Sequence, residues 1–273
     1  MNPIAPADRT FAGAIPELYE RLLVPLIFQP YASDMDGRVA PLKPERVLEI
    51  AAGTGVVTRA LASVLPRETS LVATDLNQPM LDQAAAIGAS RPVQWRQADA
   101  MALPFEDAAF DLVVCQFGAM FFPDKAKAFS EARRVLRPSG LFIFNVWDRI
   151  EQNEFAETVL HTLAGLFPDD PPRFMVRVPH GYHDFAAIAH DLASAGFDKP
   201  PSFDTQAARS RAASAGIPAQ AYCQGTPIRN EIEARAADRL AEATAATEQA
   251  IVQRFGSGAV DGKIQAHIVA VPR

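Results

Sequence analysis

Val47-Leu48-Glu49-Ile50-Ala51-Ala52-Gly53-Thr54-Gly55 decides the fold of this chain. Val47, Leu48 and Ile50 make a short buried strand, and the run ends in a turn with two glycines. From Val56 to Leu65 the pattern turns helical, and Pro66 stops it. A strand, a glycine turn and a helix open a βαβ unit. Glycine lets the backbone approach a ligand closely, and a helix N-terminus offers N–H groups to an anionic group such as a carboxylate. A βα turn with no ligand accounts for the same residues. The dinucleotide fingerprint, Gly-x-Gly-x-x-Gly or Ala, does not fit. Its third position falls on Thr58 when counted from Gly53, and on Val56 when counted from Ala51. An NAD-dependent oxidoreductase is therefore the weaker enzyme reading.

Working outward, the alternation continues. Ser70 to Asp75, Val93 to Ala98, Phe110 to Phe117 and Leu141 to Trp147 read as strands. Met80 to Ile87 and Asp124 to Leu136 read as helices. Alternating strands and helices with short connections predict a doubly wound, mainly parallel sheet, with ligands at the carboxyl ends of its strands. Two acids fall at such ends. Asp75, in Thr74-Asp75-Leu76-Asn77, suits the ribose hydroxyls of a nucleoside, although Asp75 or Asn77 would equally cap the next helix. Asp99 is placed to accept from an adenine amino group while the Ala100 N–H donates to a ring nitrogen. A plain turn aspartate is the competing reading.

Beyond Trp147 the rhythm loosens. Phe167-Pro168-Asp169-Asp170-Pro171-Pro172 is a loop signal and Phe185 to Ala195 a helix. Pro201 to Gln206 reads as a strand, Pro218 to Phe255 as largely helical and alanine-rich, and Lys263 to Val271 as a last antiparallel strand. Pro179-His180-Gly181-Tyr182-His183-Asp184 holds the candidate acid–base groups. His183 or His180 would take a proton and Tyr182 would orient a substrate. In the competing reading, Asp184 caps the next helix and the histidines are structural. These residues lack a metal-ligand set, so no metal site is expected.

Bulk properties narrow the class. The 273 residues are 49% hydrophobic, enough for a sizeable core, with a formal net charge of −6. An acidic chain without a dense Lys/Arg run argues against a nucleic-acid partner. The two cysteines, Cys115 and Cys223, form neither a disulfide framework nor a metal pair. No apolar run reaches the ~20 residues of a membrane helix and no signal peptide is visible, so the expectation is a cytoplasmic protein without membrane insertion.

Taken in order, these segments resemble class I S-adenosylmethionine (SAM) dependent methyltransferases. The likeness is nearest to the type 11 branch that includes ubiquinone and menaquinone biosynthesis enzymes, and it spans roughly Arg46 to Trp147. Phe110-Asp111-Leu112-Val113-Val114-Cys115-Gln116 is similar to the family's fourth strand, and Glu131 to Gly140 to its helix and turn before strand five. The resemblance implies a seven-stranded sheet with an antiparallel last strand and a methyl transfer that releases S-adenosylhomocysteine (SAH). A small-molecule acceptor is expected, since the Asn/Asp-Pro-Pro-aromatic motif of amino-methylating nucleic-acid enzymes is absent: strand four ends Cys-Gln-Phe-Gly. It also implies roles. Glu49 and the backbone of Ala51, Gly53, Thr54 and Gly55 would hold the methionine end. Asp75 would bind the ribose, with Leu76 against the adenine. Asp99 and Ala100 would read the adenine edge, and Gln116 and Phe117 would line the methyl side. Phe11 and Tyr19 would close a lid over the cofactor. Ala51 and Ser139 stand where the family often has glycine. The implied organisation is an N-terminal helical lid segment (1–40), a SAM-binding core (41–149), and a remainder (150–273) that completes the sheet with cap insertions near 150–183 and 209–256. Failure to turn over would leave a non-catalytic SAM-binding protein.

Overall fold

The computed structural model describes residues 4–273. The predicted lid segment's first three residues lie outside them. In chain order the α-helices are Ile15–Leu18 (α1), Gln29–Val39 (α2), Val56–Val64 (α3), Gln78–Ile87 (α4), Lys125–Val135 (α5), Glu154–Leu166 (α6), Phe174–Arg177 (α7), Phe185–Ser194 (α8), Gly216–Gly225 (α9), Ile228–Arg235 (α10) and Leu240–Phe255 (α11), with a π-helix, Tyr19–Phe28, between α1 and α2. The strands are Arg46–Ile50 (β1), Ser70–Asp75 (β2), Gln94–Gln97 (β3), Phe110–Gln116 (β4), Leu136–Trp147 (β5), Ser202–Ala212 (β6) and Val260–Pro272 (β7).

The strands form one sheet in the order β3-β2-β1-β4-β5-β7-β6. The pairs β1·β2, β1·β4, β2·β3 and β4·β5 are parallel. The Arg273 N–H donates to the Gly140 carbonyl at 2.9 Å and the Asp148 N–H to the Gln265 carbonyl at 3.0 Å. The start of β5 thus meets the end of β7, which makes β7 antiparallel. The expected doubly wound sheet with a reversed last strand is what the chain forms. The sequence reverses direction about β1 and β4, so their carboxyl ends open the crevice where such sheets bind ligands.

Local chemistry sets the boundaries. Asp124 caps α5 by accepting the Lys127 N–H at 2.8 Å, and α4 stops at Gly88, whose φ of 77° suits glycine. Three strands run beyond their predicted ends, β7 by three residues at its start and one at its close. β5 begins at Leu136 because Arg137-Pro138-Ser139-Gly140 is absorbed as a bulge. The register slips between Phe110↔Leu136 and Leu112↔Leu141, and Ser139 sits at φ 76°. β6 continues to Ala212 although its sequence stops alternating. It is an edge strand, and Arg209 and Arg211 pair with Asp261 at 2.7 and 3.1 Å.

The chain divides into two compact units. One holds residues 31–146, 182–206 and 266–273 and is built on the sheet. The other gathers residues up to Pro30 with 147–181 and 207–265, and is mainly helical. The predicted first segment, 1–40, is divided at Pro30. Among the described residues no helix is long and apolar enough to cross a membrane.

Candidate active site

The crevice of the sheet unit is built from the ends of β1, β2, β3 and β4. Glu49, on β1, is buried, and the Thr58 hydroxyl donates to its carboxylate at 2.5 Å. Burial pushes the Glu49 carboxyl up to about 8; the neighbouring charge of Asp75 adds to this, while the Thr58 bond and the pull of Arg59 offset only part. After Ile50 the backbone turns sharply, with Ala51, Gly53 and Gly55 at φ of 55°, 57° and 86°. The Ala52 N–H donates to the Thr74 carbonyl at 2.8 Å and the Gly55 N–H to the Ala52 carbonyl at 2.9 Å. Helix α3 starts with no side chain capping it, so its first-turn N–H groups face the turn without a side-chain acceptor. The Thr54 hydroxyl is buried and has no hydrogen-bond partner among the described residues.

Asp75 ends β2 and is buried. Its Oδ2 accepts the Gly53 N–H at 2.9 Å and its Oδ1 the Asn77 N–H at 2.8 Å. The carboxylate thus ties the glycine turn to the second strand, and Asn77 takes the N-cap position of α4. Burial raises the Asp75 carboxyl above the ordinary range against the pull of these N–H donors. Beside it, one residue past β2, Leu76 leaves 39% of its surface exposed. Asp99 follows β3, and its Oδ1 accepts the Met101 N–H at 2.8 Å, the geometry of a turn aspartate. Ala100 is buried next to it.

Gln116 ends β4 and Phe117 follows it, both buried. Phe117 takes a left-handed φ of 54°, and its N–H is shared between the side-chain oxygen and the carbonyl of Asn145 at 2.9 and 3.2 Å. Its ring meets Tyr31 edge-on at 5.3 Å. Sequence reading missed Asn145. Its signal was a lone amide in the apolar run Phe142-Ile143-Phe144-Asn145-Val146, where an unpaired polar group would be costly.

The remaining predicted residues sit elsewhere. Phe11 and Tyr19 meet edge-on at 6.1 Å in the helical unit, and Tyr19 stacks on Phe28 at 4.9 Å. In the same unit His180 is buried, with Nδ1 2.7 Å from the Asp148 carbonyl. A carbonyl only accepts, so Nδ1 carries the hydrogen. His183 is half-buried, and Asp184 caps α8 by accepting the Ala187 N–H at 2.8 Å. Tyr182 does not present a hydroxyl ready for a substrate. That hydroxyl donates to Asp191 at 2.7 Å, with the Lys125 ammonium 4.6 Å from the ring centre. Burial, with the Asp191 carboxylate, pushes its ionisation far upward. Both cysteines are free and buried, and burial lifts Cys115 to about 12 and Cys223 to about 11, so neither is a ready nucleophile. Among the described residues no His, Cys, Asp or Glu group is arranged to hold a metal.

Comparison with known proteins agrees with this architecture. Residues 48–144 match the family described as methyltransferase domain, type 11. A ubiquinone/menaquinone biosynthesis C-methyltransferase of Teredinibacter turnerae is 40% identical over 100 residues, covering 35% of this chain and 40% of that protein. The match thus spans less than half the length of this relative. Among solved structures, a phosphoethanolamine N-methyltransferase of Haemonchus contortus, with phosphomonomethylethanolamine and S-adenosylhomocysteine bound, superposes with a TM-score of 0.59 at 18% identity. It covers 97% of this chain and 59% of that one. A [4+2]-cyclase superposes with a TM-score of 0.52 at 18% identity, covering 88% of this chain and 80% of that one. At such identities these two likenesses speak for the fold alone.

Proposed function

We propose that this chain, whose residues 48–144 form a type 11 methyltransferase domain, binds SAM at the carboxyl ends of β1 to β4 and passes its methyl group to a small-molecule acceptor. The observation that carries the reading is the pair of buried acids. Glu49 and Asp75 lie at adjacent strand ends and are held by a hydroxyl and backbone N–H groups, and both carboxyls stay raised although the Arg59 charge pulls on Glu49. SAM brings an ammonium and a sulfonium and no phosphate. A dinucleotide fold also places an acid such as Asp75 on the ribose, so Glu49 is the discriminating group: beside the turn it suits an ammonium and offers nothing to a pyrophosphate.

The residues present fit such a ligand. The orphaned Thr54 hydroxyl and the uncapped start of α3 supply donors for a carboxylate. Glu49 suits the ammonium. Gly53, with its N–H already given to Asp75, together with Ala51 and Gly55, shapes the turn rather than donating. Asp75 keeps lone pairs for ribose hydroxyls, Leu76 offers an apolar face to the adenine, and Ala100 with Asp99 reads its edge. Gln116 and Phe117 line the methyl side.

When bound, SAM supplies a methyl on an already activated leaving group. The protein's own share is then alignment and exclusion of water, and alignment alone is worth ~7–11 kcal/mol in well-oriented systems. His180 and His183 remain the groups that would take a proton where the acceptor must lose one. In neutral His180, Nδ1–H leaves Nε2 as the basic nitrogen. The test is transfer of labelled methyl from SAM to panels of phenols, quinols, amines and carbon acids, with SAH formation followed in parallel. Acceptor-dependent SAH release supports the reading. Tight SAM binding with no transfer to any panel would make the chain a SAM-binding protein without methyltransferase activity.

A further inference from the structure

Two backbone positions at the crevice are strained in the same way. Ala51, one residue past β1, and Phe117, one residue past β4, both hold φ near +55°, a region that costs a non-glycine residue about 1–2 kcal/mol. β1 and β4 are direct neighbours in the sheet. Next to Phe117, Gly118 has an ordinary φ of −93°, so its identity is not a matter of backbone freedom. It is a matter of space. A Cβ at 118 would overlap the Ala51 Cβ outright and come within 2.8 Å of the Cys115 Sγ. The Ala51 methyl is fixed to the backbone and cannot rotate away. Nor is the other side free to retreat: Asn145, fully buried, grips the Phe117 N–H with both its side-chain oxygen and its carbonyl.

We propose that Ala51 and Gly118 are interlocked positioning residues that set the spacing between the glycine turn of β1 and the end of β4, with Asn145 as the anchor. The inference rests on the SAM reading above, in which those two segments hold opposite ends of the cofactor's amino-acid and methyl portion. The Ala51 methyl seats on the bare Cα of Gly118. Strain in both turns is tolerated because each holds the other. Neither residue touches a reacting atom in this account, so their substitution acts through the position of the turn. Strained backbone persists where its surroundings over-determine it.

The test is a double-substitution cycle read by SAH calorimetry and thermal melting on the full chain. Gly118→Ala is expected to weaken SAH at least 30-fold. Ala51→Gly, which removes the seat, keeps the fold and melts close to the wild type, while SAH weakens 3- to 10-fold. In Ala51→Gly/Gly118→Ala the main overlap is gone, and the Cys115 thiol, on a single rotatable bond, has only to turn aside. Affinity then recovers at least fivefold over Gly118→Ala, a non-additivity that independent sites do not show. Wild-type affinity in either single variant, or additive losses in the double, would overturn the interlock. If Gly118→Ala does not fold, Ala51→Gly alone decides: unchanged SAH affinity refutes the proposal, and a 3- to 10-fold loss at an unchanged melting temperature upholds it. Wild-type protein that ignores SAH would instead sink the parent reading, before the cycle begins.

Discussion

Two pairs of carboxylates, one in each unit of this molecule, are held differently. In the helical unit Asp8 is buried against the Arg177 guanidinium at 2.5 Å, and Glu231 meets the same arginine at 2.8 Å. In the sheet unit Glu49 and Asp75 are buried on hydroxyl and backbone N–H donors, and both carboxyls are raised by the cost of burial. A paired buried acid is a structural joint. A buried acid held mainly by hydroxyl and N–H dipoles, its acidity still perturbed, is poised for a cation, and perturbed carboxyls of that kind gather at functional sites.

Substitution should separate the two kinds of acid. Asp75→Ala is expected to lower SAH affinity 100-fold or more, about 2.8 kcal/mol at ~1.4 kcal/mol per tenfold, with a native circular dichroism spectrum. Arg177→Met takes the guanidinium from Asp8 and Glu231 and leaves them only backbone N–H donors. Removing one partner of a buried pair costs about 3–5 kcal/mol; discounted for partial exposure, roughly 2 kcal/mol and a melting temperature about 4–8 °C lower follow. Its SAH affinity should stay within threefold. A drop in affinity like that of Asp75→Ala would erase the distinction between joint and site.

The acidity of Glu49 sharpens the same contrast. Its folded carboxyl titrates near about 8, against an ordinary 4.5. Between these values the unfolded chain is ionised while the folded one keeps its proton, so the folded state binds more protons and stability falls as pH rises. The ligand-free protein should therefore lose melting temperature from pH ~5 to ~8, and Glu49→Gln should flatten that slope. Binding a cationic cofactor at neutral pH should release a proton, visible as a buffer-dependent heat for SAM. A smaller effect belongs to Tyr182→Phe. Losing the bond to Asp191 costs about 1 kcal/mol and should leave methyl transfer within twofold. A tenfold loss of turnover at unchanged stability would return Tyr182 to the acceptor.

How much of this was legible beforehand follows the same line. The crevice could be read because its requirements are local: a strand, a turn that needs small residues, an acid at the next strand end. Ser70–Asp75 was placed to the residue. Asn145 and Gly118 were not seen, because their meaning lies in contacts across the sheet with Phe117 and Ala51. The helical unit was read only coarsely. Its helices are recruited from three separate stretches of chain, and alanine-rich periodicity does not say which face meets which. Tyr182 illustrates the limit: the sequence His180-Gly181-Tyr182-His183 does not reveal that the tyrosine hydroxyl is bonded to Asp191.

The most direct measurement is calorimetric titration of the wild-type chain with SAM, SAH and NAD under one set of conditions. This account predicts one saturable site for each adenosyl-sulfur ligand and no heat from NAD. Folded protein that binds neither SAM nor SAH, or that prefers NAD, would contradict it and reduce the Gly53–Gly55 turn to a dinucleotide cradle or a purely structural bend.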